Sequence, residues 1–141
     1  MEVVLGRLIN LETAGKERTH LTKTVVLAIR ELLRQPEPND DARDLAAYIS
    51  LALESIANTI DLSVSAWEKR GYWVKADRFR MDWAWSSRLA GNMRQAVLTE
   101  DWMKVAQTAA QVAERLNGIV IPQHHRLGTP WVGAYLKLKG I

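Results

Sequence analysis

Cations and aromatic rings alternate along one segment of the chain, residues 67–94. The rings belong to Trp67, Tyr72, Trp73, Phe79, Trp83 and Trp85, and the cations to Lys69, Arg70, Lys75, Arg78, Arg80, Arg88 and Arg94. Such a mixture can bind nucleic acid, because cations contact phosphates while rings stack on bases. One candidate function is therefore the binding of nucleic acid or another polyanion through Lys69, Arg70, Lys75, Arg78 and Arg80.

The charge of the chain is distributed unevenly, although the formal net charge is only +3. Residues 1–66 carry seven basic and ten acidic side chains, whereas residues 67–98 carry seven and three. Residues 119–141 carry three basic side chains and no acidic one. The positive second half could steer an anionic partner, or it could attract the negative first half of a second copy.

Histidines offer little for metal binding. Glu17 and His20 have the Glu-x-x-His spacing of di-iron bundles. A di-iron site needs two such motifs and two further inward glutamates, and the sequence has only one motif. The helical projection also points the two side chains outward or to the flank of the helix. His124 and His125 are adjacent in a segment predicted to be extended, where successive side chains face opposite ways. We expect no metal site and no cofactor, with a histidine site between subunits as the alternative.

Catalytic groups are equally sparse. Asp41 and Asp44 could align two carboxylates for Mg²⁺, as in helical nucleotide hydrolases, but such sites need several carboxylates converging from facing helices. The acids are explained better as charges at a helix start. No serine has an evident base partner, and no glycine-rich phosphate loop follows a strand. A metal-dependent nucleotide hydrolase is therefore the weakest interpretation, and no catalytic residue is predicted.

Apolar residues recur at helical spacing through most of the chain. We predict helices over residues 3–35, 41–67, 72–98 and from Thr99 to about residue 116, with a break or a bend in the first helix near Gly15. Asn39, Asp40 and Asp41 are expected to cap the start of the second helix, Gly71 to end it, and Thr99 to cap the fourth. Residues 119–126 are expected to be extended, and Thr129 and Pro130 to start a short last helix. Short connections favour an all-α, up-down four-helix bundle over residues 1–118 with a C-terminal tail, residues 119–141.

The third predicted helix has two apolar stripes. One is a core seam that contains Tyr72, Phe79 and Trp83, and the other lies on the opposite side. The second stripe consists of Val74, Arg78, Met81, Trp85 and Arg88. Trp, Met and Arg are enriched in interface cores, so we expect this stripe to form a subunit contact, with Trp131 of the tail contributing.

The favoured interpretation is thus a non-catalytic interaction protein that forms a homodimer. Two alternatives for the stripe remain: the tail folds over it within one chain, or it lines a groove for an apolar ligand. In a dimer, the tails could also be exchanged between subunits. The chain has no cysteine, no leader with a basic start and an apolar stretch, and no apolar run of the length that spans a bilayer, so we expect a cytoplasmic protein.

Overall fold

The computed structural model describes residues 11–140, and the predicted all-α fold is confirmed within them. Four main helices are α1 (Leu11–Leu33), α2 (Asp40–Lys69), α3 (Trp73–Leu98) and α4 (Trp102–Arg115). A short helix, α5 (Ala134–Leu138), follows near the C-terminus. Each main helix packs against the next one along the chain, and α5 packs against α2.

Caps fix both ends of α2, the longest helix. Of the three predicted capping residues, Asn39 is the N-cap, and its side chain accepts a hydrogen bond from the Ala42 amide at 2.8 Å. At the other end Gly71 has a φ of +82°, and its amide and that of Tyr72 donate to the carbonyls of Glu68 and Trp67. This is the Schellman arrangement, in which a left-handed residue turns the chain sharply after a helix. The turn sends α3 back along α2.

α1 is not broken at Gly15, because the helix is continuous from Leu11 to Leu33. The predicted start at residue 3 lies outside the described residues. Arg18, which falls on the core side of α1, is half-buried and donates hydrogen bonds to the hydroxyls of Thr59 and Ser63. Its guanidinium also lies 4.8 Å from the centre of the Phe79 ring, and burial lowers the pKa of Arg18. A cation–π contact and two hydroxyls thus accommodate a cation at this point of the core.

The main core joins the inward faces of all five helices. Its largest fully buried side chains include Leu45, Ile49, Leu53, Leu89 and Met93. A smaller cluster of Ile60, Val64 and Ala76 continues the core toward the α2–α3 turn. By length and composition α2 could cross a bilayer, but 56% of its most apolar window is buried in the structure, as in the core helix of a folded domain.

The turn between α3 and α4 differs from the predicted one. Thr99 does not cap α4. It is the C-cap residue of α3, and its hydroxyl donates to the Gln95 carbonyl. Asp101 caps α4 instead by accepting a hydrogen bond from the Lys104 amide. Glu100 lies between them with a φ of +54°, because a short reversal of the chain needs one left-handed residue.

Residues after Gly118 return to the bundle within the same chain. Arg30 donates to the Ile121 carbonyl at 2.9 Å, and Arg94 donates to the Leu138 carbonyl. The predicted start of the last helix at Pro130 is wrong: α5 begins at Ala134, after the left-handed residue Gly133. Ala134 and Leu138 are buried in the main core, so the tail packs on α2, and Arg94 joins it to α3.

Candidate interaction surface

Trp85 does not lie on an outer surface of the chain. Only 6% of it is exposed, and it belongs to the main core, where its ring stacks on Trp83 at 5.6 Å. The Arg115 guanidinium lies 6.0 Å from the centre of the same ring. The expectation that Trp85 anchors an exposed stripe is therefore wrong, because its own chain covers it.

The length of α4 explains both this burial and the exposure of the neighbouring turns. At 1.5 Å per residue, the 26 residues of α3 extend about 39 Å and the 14 residues of α4 about 21 Å. The two helices run antiparallel from their shared turn, and Arg115, the last residue of α4, lies at the level of Trp85. About 18 Å of α3, toward its N-terminus, therefore extends beyond α4.

The side of α3 that α4 covers continues into these uncovered turns. At 100° per residue, Val74, Arg78 and Met81 all point within about 40° of the direction of Trp85. Val74 and Met81 are each 72% exposed, and Arg78 is exposed as well. We call these three residues the open face of α3. It occupies the position that a longer fourth helix would cover.

The remaining predicted interface residues lie apart from the open face. Arg88 is exposed, but it projects about 60° from the direction of Trp85. Trp131 is partly buried and packs against the main core from the tail, on the side that α5 covers. Tyr72, predicted to lie on the core seam, is exposed, so that prediction is wrong. The other two seam residues, Phe79 and Trp83, are partly buried. Of the six predicted interface residues, only Val74, Arg78 and Met81 lie together on one exposed side of α3.

The predicted polyanion-binding residues differ in how much of their charge is neutralised. Arg80 forms ion pairs with Glu68 and Asp77, and its hydrogen bond to Glu68, supported by Asp77, raises the pKa of Arg80. Lys75 lies 4.5 Å from the centre of the Trp67 ring. Lys69, Arg70 and Arg78 are exposed and have no acidic partner among the described residues.

Asp44, considered above as a metal ligand, holds the tail instead. Its carboxylate accepts hydrogen bonds from the Gly133 amide at 3.1 Å and the Tyr135 amide at 2.9 Å. The sequence gives no local signal for this contact, because the partners are about 90 residues apart along the chain.

Within residues 13–140, no group of three or more His, Asp or Glu side chains is arranged to hold a metal ion. His125 accepts a hydrogen bond at Nδ1 from the Leu127 amide, and His20 and His124 are exposed.

A polar groove of about 440 Å³ runs between the outer sides of α2 and α3. Its lining includes Glu54, Asn58, Asp61 and Ser87, with Arg80 at one side. Arg80 is already paired with Glu68 and Asp77, so the groove presents mainly two free carboxylates. No histidine lines it, and nothing in its geometry pairs a nucleophile with a base.

Comparisons of the chain with protein-family models, with curated proteins and with solved structures gave no significant match.

Proposed function

We propose that the protein is a non-catalytic helical interaction module that forms a homodimer through the open face of α3. The observation that carries this proposal is the change along one side of α3. From Trp85 onward α4 and the core cover that side, whereas Val74 and Met81 on the same side are 72% exposed. A two-fold contact would give each copy the cover that its own α4 is too short to supply.

The composition of the open face fits a subunit contact. Two apolar side chains flank Arg78, and methionine and arginine are both enriched in interfaces because they combine apolar area with adaptable contacts. Met81 adapts its shape to a partner at low cost, and the apolar stem of Arg78 can pack while its guanidinium stays hydrated. The tail packs on α2 and contacts α3 at Arg94, away from the open face, which stays exposed.

The size of the open face sets the expected affinity. Stable dimers bury about 800 Å² on each partner, which is more than two or three turns of one helix provide. We therefore expect a weak dimer, populated at about tens of micromolar rather than at nanomolar protein concentration.

The test is sedimentation equilibrium of the full chain and of Met81→Gln. The substitution keeps the size of the side chain but removes about 2 kcal/mol of apolar burial per copy, and a two-fold contact contains the residue twice. We expect the dimer dissociation constant to rise at least about 100-fold. Met103→Gln is the matched control, because Met103 is 73% exposed on α4, away from the open face. A wild-type monomer at tens of micromolar, or equal effects of both variants, would contradict the proposal.

Polyanion binding stays a second prediction for the cations that lack an acidic partner. Lys69, Arg70 and Arg78 support it, whereas the ion pairs of Arg80 do not. Salt separates the two functions: polyanion binding weakens steeply as salt rises, whereas an apolar subunit contact changes little.

A further inference from the structure

The turn that joins α2 to α3 ends in two exposed aromatic rings. Tyr72 and Trp73 are 53% and 61% exposed, although both residue types usually bury most of their surface. Both follow Gly71, whose left-handed backbone reverses the chain, so the rings lie at the end of the helical hairpin. We call residues 69–75 the hairpin tip. Residues 71–75 of the tip line an open concavity of about 540 Å³.

The hairpin tip carries an excess of positive charge. Residues 67–80 contain five cations and two carboxylates, Glu68 and Asp77. Both carboxylates are hydrogen-bonded to the same cation, Arg80. Exposed Lys69 and Arg70 stand on one side of the two rings and Lys75 on the other. Arg80 thus engages both carboxylates of residues 67–80, and the cations around the rings remain available to an anionic partner.

The start of α3 also presents hydrogen-bond donors at this end. No side chain caps the helix at Tyr72, and its first turn contains no acidic residue. The amides of Trp73, Val74 and Lys75 have no acceptor among the described residues. Most helices satisfy these amides with a side-chain oxygen, and phosphate oxygens are good substitutes at the positive end of a helix dipole.

We propose that the hairpin tip docks on the anionic headgroup surface of a phospholipid membrane. Tyr and Trp are amphipathic rings that prefer the boundary between headgroups and acyl chains, and lysine and arginine beside them contact the lipid phosphates. The neighbouring aliphatic side chain, Val74, is also largely exposed and gains from insertion, whereas it offers nothing to a stacked nucleic-acid base. Binding at this tip goes beyond dimer formation, and because Val74 belongs to both surfaces it is measured where the protein is monomeric.

The test is co-sedimentation of the full chain with vesicles of phosphatidylcholine, alone or with about one-third phosphatidylserine, at about 0.1 M salt. We expect binding only to the anionic vesicles. Lys69→Gln/Arg70→Gln should lower the partition coefficient about 25-fold, since each cation near the surface contributes about fivefold. Trp73→Ala should lower it about tenfold through lost apolar burial.

Matched controls come from exposed positions elsewhere. Lys104→Gln/Lys137→Gln removes two exposed cations from α4 and α5, and Met103→Ala removes an exposed apolar side chain. Both should leave vesicle binding unchanged. Met81→Gln, assayed where the wild type is monomeric, should also leave it unchanged, which separates this test from the dimer.

Three results would overturn the proposal. The first is equal binding to neutral and anionic vesicles, or none to either. The second is an equal loss of binding in the control variants and the tip variants. The third is binding of a single-stranded oligonucleotide that Trp73→Ala abolishes, without vesicle binding, because the tip would then be a nucleic-acid surface.

Discussion

Removing the Asp44 carboxylate should release the tail while leaving the bundle folded. In Asp44→Ala, the amides of Gly133 and Tyr135 lose their acceptor. A hydrogen bond to a charged group contributes about 1.5–3 kcal/mol, but the Gly133 bond is exposed, so it lies at or below the lower limit. We therefore expect the two bonds together to contribute about 2 kcal/mol, net of the gain from solvating the freed groups.

Amide hydrogen exchange measures this release directly. The amides of Lys137 and Lys139 donate within α5, to Gly133 and Tyr135, and exchange when the helix opens. A loss of about 2 kcal/mol should speed their exchange about 30-fold, while exchange in the middle of α2 changes little. Asp44→Asn keeps one acceptor oxygen and should have a smaller effect.

The matched control is Asp61→Ala, which removes an exposed acid of α2 that has no hydrogen bond or ion pair among the described residues. If Asp44→Ala speeds exchange in α5 no more than Asp61→Ala does, the carboxylate does not hold the tail. If it speeds exchange equally throughout the bundle, the tail does not open as a separate unit. Either result refutes the reasoning.

Two further predictions concern stability. Tyr48 donates to the Thr24 hydroxyl at 2.7 Å, so Tyr48→Phe should lower the free energy of unfolding by about 1 kcal/mol at neutral pH. Burial raises the pKa of Tyr48, partly offset by the bond to Thr24, so the unfolded chain ionises first and the stability that Tyr48 contributes is lost as pH rises above about 10. Urea unfolding of both proteins should thus show a difference that shrinks at alkaline pH, and a constant difference would be the contrary result. Gly71→Ala should lower the free energy of unfolding by about 1 kcal/mol, because the φ of Gly71 is +82°. Gly91→Ala should raise it by about 0.5–1 kcal/mol, because Gly91 lies inside α3 with open space at its Cβ. Thermal unfolding of both variants measures the two changes, and changes of the same sign would contradict the prediction.

Local patterns predicted much of the fold. The apolar spacing of α2 and α3 gave their bounds to within two residues, and Asn39 and Gly71 mark the ends of α2 because capping chemistry depends on neighbouring residues. The start of α5 could not be predicted in this way, since its amides bind Asp44, a residue distant in the sequence. Thr99 failed as a cap because the geometry of a short turn selected Asp101 instead.

The candidate surface was only half predictable for a related reason. Helical projection gives the direction of a side chain but not the length of the helix that packs against it. Trp85 and Met81 point to nearly the same side of α3, yet α4 reaches the first and stops short of the second. Whether each side chain is buried therefore depends on where α4 ends, at Arg115. The sequence pattern of α3 carries no information about that end.

The position of the subunit contact can be measured by paramagnetic relaxation between copies. The chain has no cysteine, so Asp82→Cys, at an exposed position beside the open face, provides a single site for a spin label. The spin-labelled protein is mixed with isotope-labelled wild type. We predict that amide signals of residues 74–81 in the wild-type copy broaden most strongly. Absence of broadening at tens of micromolar protein, or broadening centred on α5, would contradict a homodimer formed through the open face of α3.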